Sequence, residues 1–362
     1  MDTKAPIVSI QKFSYENIEI ESLLAPLGGL QNYVNKGERV LLKVNLLNAS
    51  IPSKAVVTNP ILVKKTVEAI QKIGATPVIG DSPSGQFTKR RLNKVYEKAG
   101  LIQLSKETGV ELNYNTQTKK IPIQDGRQLT KVPICNFVLQ ADRIIALPKI
   151  KTHSYMIMTL ATKIMYGVVP GLTKAKYHAL YPRGINFSDM LLDVLSVAKP
   201  DLIIMDGIIG MQGNGPAGGT PVDIGVLLAA EDALAMDISV CKILGVEPVG
   251  IPVLKRGKIR GLWPKEIKYP KLKPNDVKCN DFILPTTAGY LITGEKTPEQ
   301  YPKVNSKCIS CGLCEEICPK QAIKNTQPEA TINYSKCIRC YCCHEVCPEE
   351  AIELEVITEN VH

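Results

Sequence analysis

A chain of 362 residues with 44% hydrophobic and 22% charged residues is ordinary for a globular protein with its own core. At roughly 150 residues per domain, its length suggests two or three domains. The net charge of +9 is unevenly placed: from Pro302 onward six Lys/Arg stand against nine Glu, a net of −3, which leaves +12 on residues 1–301. With 5% aromatics and no nucleic-acid motif, that basic body argues for an anionic small molecule and against nucleic acid as its partner. An apolar signal region and a membrane-length apolar stretch are both missing from the sequence, so a cytoplasmic location with no membrane partner is expected.

In chain order, strand-like and helix-like segments alternate, the pattern of a sheet covered by helices. Residues 7–10 read as a short strand and 39–45 (RVLLKVN) as a buried one. Val63, Val67 and Ile70 then repeat at helical spacing over 61–73, closed by Gly74. A strand at 76–80 and a helix at 88–99 repeat the βα unit, and 110–134 reads as an antiparallel excursion around Asp125-Gly126. Further strands are expected at 143–149, 201–206 and 224–230, with helices at 189–199 and 233–244. Residues 248–301, rich in proline and lysine, extend the body, with strand-like pieces at Phe282–Leu284 and Tyr290–Thr293. The fold class is thus α/β, a mainly parallel sheet with flanking helices over 1–247, followed by the extension and a small cysteine-rich α+β domain at 302–362.

Four of these strands finish in polar residues that a buried sheet would otherwise exclude. RVLLKVN carries Lys43 and Asn45, 76–80 runs into Asp81-Ser82, 143–149 leads to Lys149, Lys151 and His153, and 201–206 stops at Asp206. In open α/β sheets ligands bind beyond the carboxyl ends of the strands, so parallel strands would bring these groups together. The glycine-rich stretch 207–219, with Gly210, Gly213, Asn214, Gly215 and Gly218, could form an anion-binding nest of bare amides, though a plain turn competes with that reading. Between His153 and Arg183 lie Lys163, Lys174, Lys176 and His178 with no carboxylate, and an anion is the natural counter-charge. Asp81 and Asp206 with His153 could instead hold a metal.

The richest chemistry lies near the C-terminus. Cys308, Cys311, Cys314 and Cys318-Pro319, then Cys337, Cys340, Cys343 and Cys347-Pro348, both match C-x2-C-x2-C-x3-C-P, the spacing that holds two 4Fe-4S clusters. Three closely spaced thiolates wrap one cubane while the fourth points to the other. Cys308, Cys311, Cys314 and Cys347 are therefore expected on one cluster, and Cys337, Cys340, Cys343 and Cys318 on the other. A zinc site or a disulfide framework would need paired C-x2-C motifs or a short secreted chain. Cys135, Cys241, Cys279 and Cys342 remain as thiols, and Cys342 is out of register as a ligand.

The segments LLKVNLL around Lys43, VIGDSPSG at 78–85, ALPKIKTH at 146–153, KIMYGVVPG at 163–171, MDGIIGMQGNGPAGG at 205–219 and AAEDALAMD ending at Asp237 together resemble domain-of-unknown-function family 362, here joined to a bacterial-type ferredoxin domain. The family's usual Lys-Asn pair appears as Lys163-Ile164. The resemblance implies a fold and an iron-sulfur protein, with no substrate or reaction.

The residues themselves favour a reductase in which the two clusters pass electrons to an anion at the strand ends. Lys43, Lys151, Lys163, Asp81, Ser82 and the glycine loop would bind it, and His153 or His178 would move a proton near neutral pH, alongside Asp206. Its partners would be that substrate and a redox partner protein or low-potential electron donor. The alternative is a ferredoxin-like carrier, or an accessory protein for cofactor assembly, whose body docks a partner oxidoreductase.

Overall fold

The computed structural model describes residues 5–182, 184–289 and 298–356. The strands, in chain order, are β1 (Val8–Lys12), β2 (Arg39–Val44), β3 (Thr76–Gly80), β4 (Glu111–Leu112), β5 (Thr118–Pro122), β6 (Lys131–Cys135), β7 (Arg143–Leu147), β8 (Lys149–His153), β9 (Ile157–Thr159), β10 (Leu202–Gln212), β11 (Thr220–Ala230), β12 (Gln300–Val304), β13 (Ile323–Lys324), β14 (Thr331–Ile332) and β15 (Ile352–Val356). Among the described residues, nine of them form one sheet in the order β1-β11-β10-β7-β2-β3-β4, with β8 pairing β10 and β9 pairing β8. The pairs β2–β3, β2–β7, β3–β4, β7–β10 and β8–β10 are parallel.

Alternation of side chains splits the core into two layers. Leu41 packs on one face with Ala146, Ile203 and the helices Gly184–Val197 and Ala233–Ile243. Val40, Leu42 and Val44 pack on the other with the helix Pro60–Ile73. That helix starts where the Asn59 side chain accepts from the Ile61 amide, and it ends at Gly74, whose φ of 84° suits glycine. Its stripe of Leu62, Val63, Thr66, Val67 and Ile70 is buried, and each large aliphatic there contributes about 1.5–3 kcal/mol.

Three readings need correction. The 224–230 strand belongs to β11, which runs antiparallel to β10, because the loop 213–219 is far shorter than the roughly twelve residues a parallel crossover requires. The glycine-rich stretch begins inside β10, so Gly207 and Gly210 are strand residues. Phe282–Leu284 is not a strand, since its backbone is bonded elsewhere: Gly213 donates to the Ile283 carbonyl at 2.7 Å, and the Ile283 amide donates to Gln212 Oε1 at 3.1 Å. Tyr290–Thr293 lies outside the described residues. The excursion expected around Asp125-Gly126 is the antiparallel pair β5–β6.

The C-terminal module pairs β12 with β15 and β13 with β14, all antiparallel, around two short helices, Leu313–Ile317 and Cys342–Val346. Its two halves repeat. Ser310 and Arg339, Gly312 and Tyr341, and Gln321 and Glu350 hold equivalent places in the two cysteine runs, and all six have positive φ. Each run therefore folds as the same tight loop.

Candidate functional site

The ends of β2, β3 and β8 open on a cavity of about 80 Å³ whose far wall belongs to the cluster module. The body supplies Lys43, Asp81, Ser82, Lys151, Lys163, Tyr166, Lys174 and His178, and the module supplies Ile317, Cys342 and Glu345. Asp81 organises one side. Its carboxylate accepts from Lys43 Nζ at 2.9 Å, from the Leu46 amide at 2.6 Å and from the Ser82 amide at 2.7 Å. Ser82 Oγ in turn accepts from the Gly171 amide at 2.9 Å, and Lys174 Nζ donates to the Ser82 carbonyl at 2.5 Å and the Val169 carbonyl at 3.0 Å. The 163–171 segment can lie this close because it has glycines: a Cβ on Gly167 would fall 2.2 Å from Asp81 Oδ1, and one on Gly171 would fall 2.1 Å from the Gly85 carbonyl.

The other side is less satisfied. Lys151 is 1% exposed and its ammonium has one partner, the Val56 carbonyl at 2.9 Å. Lys163 makes no hydrogen bond or ion pair among the described residues. Burial, then the Lys163 charge, pushes Lys151 down to about 7, burial takes Lys174 down to about 8, and burial lowers Lys163 too. Glu345 is held up by burial despite Lys163. Four lysines thus share the cavity with two carboxylates.

His178 is buried in this wall, stacked on Phe187 with 4.3 Å between ring centroids, and its Nδ1 has no partner. Burial, with Lys163, pushes it down to about 3, so the ring is neutral. His153 stands behind Glu345. Its Nδ1 accepts from the Tyr155 amide at 3.1 Å, which places the proton of the neutral ring on Nε2, 3.2 Å from Glu345 Oε1 but out of hydrogen-bond alignment. Burial holds His153 well below its usual range.

The remaining candidates are elsewhere. Asp206 is fully buried outside the cavity lining, bonded to Lys149 Nζ at 2.8 Å, Tyr15 Oη at 2.9 Å and the Asn59 amide at 3.1 Å, so its carboxylate has no room for a ligand. The glycine loop is not an open nest. The Gly213 amide is bonded to Ile283 and the Gly215 amide to Thr152 Oγ1 at 3.3 Å, while the Asn214 carbonyl meets His344 Nε2 at 3.0 Å. Gly218 abuts the same histidine, where a Cβ would come within 2.7 Å, and Gly210 packs in the sheet against Ile150 and Ile224. Of that loop only Pro216 reaches the lysine cavity. Lys176 is exposed. Among the described residues no three His, Cys, Asp or Glu converge to hold a single metal ion, so Asp81, Asp206 and His153 are not brought together for one.

The cysteines outline two further cavities. One is ringed by Cys308, Cys311, Cys314 and Cys347, the other by Cys318, Cys337, Cys340 and Cys343. Both are apolar, and backbone amides donate to sulfur from Ser310 to Cys308 at 3.4 Å, Ala322 to Cys318 at 3.2 Å and Ala351 to Cys347 at 3.3 Å. Four thiols around a dry hollow, with amides turned to the sulfurs, fit a cubane cluster, whose thiolates cap separate irons. Cys342, not one of these eight, lines both the second hollow and the lysine cavity.

Residues 40–242 match the model of a domain of unknown function, DUF362. The chain belongs to the DUF362 family. Two 4Fe-4S binding domains follow at 301–324 and 330–353, so this DUF362 protein carries two 4Fe-4S clusters and has an iron-sulfur electron-transfer role. It is 34% identical over 275 residues to a thylakoid-associated protein of Synechocystis sp., covering 74% of this chain and 82% of that one. Two solved structures are similar over part of the chain. The lactate racemase apoprotein from Thermoanaerobacterium thermosaccharolyticum has 13% identity and a TM-score of 0.38 over 63% of this chain and 54% of that one. A protein from Thermotoga maritima has 11% identity and a TM-score of 0.35 over 55% and 51%. The chain spans about half the length of these solved structures.

Within the DUF362 body, the family's Lys-Asn position, here Lys163-Ile164, is in the cavity wall, where Ile164 is apolar. Sequence reasoning missed Glu345, which sits between two cluster cysteines and would be read there as surface charge. It also missed Tyr166. Lys174, singled out by the absence of any carboxylate between residues 153 and 183, does line the cavity. Among the described residues no helix is long and apolar enough to cross a membrane.

Proposed function

We propose that this protein is a reductase that passes electrons from its two 4Fe-4S clusters to a small anionic substrate held in the lysine cavity. One observation carries the reading: the cavity is walled by buried lysines at the strand ends on one side and by Ile317, Cys342 and Glu345, all beside cluster cysteines, on the other. Cys308, Cys311, Cys314 and Cys347 hold one cluster, and Cys318, Cys337, Cys340 and Cys343 the other. The clusters supply single electrons at a potential set by their surroundings.

The chain's own residues do the rest. Lys163, without a partner among the described residues, takes the anionic group, while Asp81 fixes Lys43 and the Ser82 and Val169 carbonyls fix Lys174 so that their charge adds to the field. Lys151, held at about 7, is matched to proton donation near neutral pH. His178 adds a neutral ring to the same wall. At roughly 10–15 Å³ per water-sized group, about 80 Å³ admits roughly five to eight such groups, the size of a small organic acid. A reducing, cytoplasmic setting suits thiolate ligands, and a low-potential donor or redox partner protein would feed the clusters.

Anaerobically purified protein should be melted with phosphate, acetate, pyruvate, fumarate and citrate. A bound anion at a hundredfold excess over its Kd stabilises by about 2.7 kcal/mol, and Lys163→Met should abolish that shift. Phosphate, acetate and citrate report binding only, whereas pyruvate or fumarate, if it stabilises, should also reoxidise the dithionite-reduced protein. No stabilisation by any of them, with both clusters intact, would replace the reductase with a carrier.

A further inference from the structure

The two thiol hollows stand in different relations to the lysine cavity. The hollow of Cys318, Cys337, Cys340 and Cys343 shares Cys342 with it, and Ile317, next to Cys318, is also in the cavity wall. A small apolar cluster of Ala175 from the body with Ile317, Cys342 and Val346 is met by Cys340 of this hollow and, from the other, by Leu313, so of the eight ligand cysteines it is Cys340 that packs there. The hollow of Cys308, Cys311, Cys314 and Cys347 shares no lining residue with the lysine cavity, and its outer rim is Ile309, 62% exposed, and the exposed Cys311.

Resting on the reductase reading, we propose that the two sites have fixed and unequal roles. Electrons leave for the substrate from the Cys318, Cys337, Cys340 and Cys343 site, across Cys342, and arrive from outside at the Cys308, Cys311, Cys314 and Cys347 site. Each two-electron reduction oxidises two equivalents of a low-potential one-electron donor and takes up two protons, one from the Lys151 ammonium and one from solvent. The module's part of the cavity wall is thereby explained: Ile317 and Cys342 bring the delivering site against the substrate.

The order can be read from reduction potentials, which follow net charge and solvent exposure near a cluster. Redox titration followed by electron paramagnetic resonance on the full, cluster-loaded chain gives both signals, with Cys311→Ser and Cys337→Ser assigning them. Removing a buried cation beside one site in Lys163→Met should shift the Cys337-dependent signal to more negative potential and leave the Cys311-dependent one in place, and Lys163→Arg should restore the value. Adding a cation at the exposed rim, in Ile309→Lys, should shift only the Cys311-dependent signal, to more positive potential. Equal shifts in both signals, the reverse pattern, or no shift in Lys163→Met would overturn the assignment. No substrate is needed. A failed anion panel therefore removes the reductase reading and the delivery step with it, while a wrong pattern of potentials removes the assignment of the sites and leaves the reductase reading standing.

Discussion

Lys149 and Lys151 stand two residues apart on β8, each 1% exposed, and the structure treats them in opposite ways. Lys149 is matched by Asp206 at 2.8 Å, with Tyr15 bonded to both, so charge and hydrogen bonds close on themselves. Lys151 faces a cavity that also holds Lys43, Lys163 and Lys174 against only Asp81 and Glu345, and it has a single carbonyl for a partner. The first arrangement is complete and holds β8 to β10. The second is short of negative charge, which is the electrostatic description of a binding site for an anion. A polar residue at a strand end is thus a candidate ligand contact only when the fold leaves it without a counter-charge.

The largest expected effect breaks the complete side. Asp206→Asn leaves the Lys149 ammonium buried and uncompensated, which typically costs about 3–5 kcal/mol. Chemical denaturation should show that loss while iron content and the anion-induced shift stay unchanged. A loss of anion binding in stable protein would instead place Asp206 in the site.

The second sharpens the incomplete side through pH. Lys151 has a folded pKa of about 7, below its ordinary value of 10.5, so between these limits the unfolded chain binds more protons than the folded one. The destabilisation from its burial is therefore present below about 7 and is relieved as pH rises, giving a positive slope of stability with pH. Anion binding prefers the charged ammonium and should weaken over the same window, by up to about tenfold per pH unit. Thermal melting with and without the anion checks both slopes, and Lys151→Met should flatten them.

The smallest expected effect lies at the rim, where Lys54 and Glu350 pair at 2.6 Å between body and module, both well exposed. Lys54→Ala should cost only about 0.2–1 kcal/mol and vanish at high salt. A larger, salt-resistant loss would mean that the rim, not the cavity wall, holds the module in place.

Much of this was legible from pattern. The helix at 60–73 follows from its apolar spacing and Gly74, and the two clusters follow from the cysteine register. The gathering of Lys43, Asp81, Ser82 and Lys151 was also foreshadowed, because β2 runs parallel to β3 and β8 parallel to β10, and the carboxylate-free run 154–182 pointed to Lys163 and His178, which reach the same cavity from helices. What local pattern could not separate was Lys149 from Lys151. Their difference depends on Asp206 and Tyr15, which register in the folded sheet brings to one and not the other. Glu345 reaches the cavity because the Asn48 side chain holds its carbonyl at 3.1 Å across nearly the whole sequence. Glu316, exposed on the module, accepts from the Gln86 amide of the body at 3.0 Å, a contact no local pattern announces.

The short helix Cys342–Val346 closes the lysine cavity, and it lies inside a cluster-binding loop. Loops of this kind owe their shape to the metal they hold, since ligand thiolates come together only when it binds. Iron supply then governs more than conduction. In a starved cell the wall carrying Cys342 and Glu345 would lose its shape together with the redox centre beside it. On the proposed reductase reading, a chain unable to deliver electrons would therefore also be unable to sequester its anion, and scarce substrate would remain free for chains that are fully assembled.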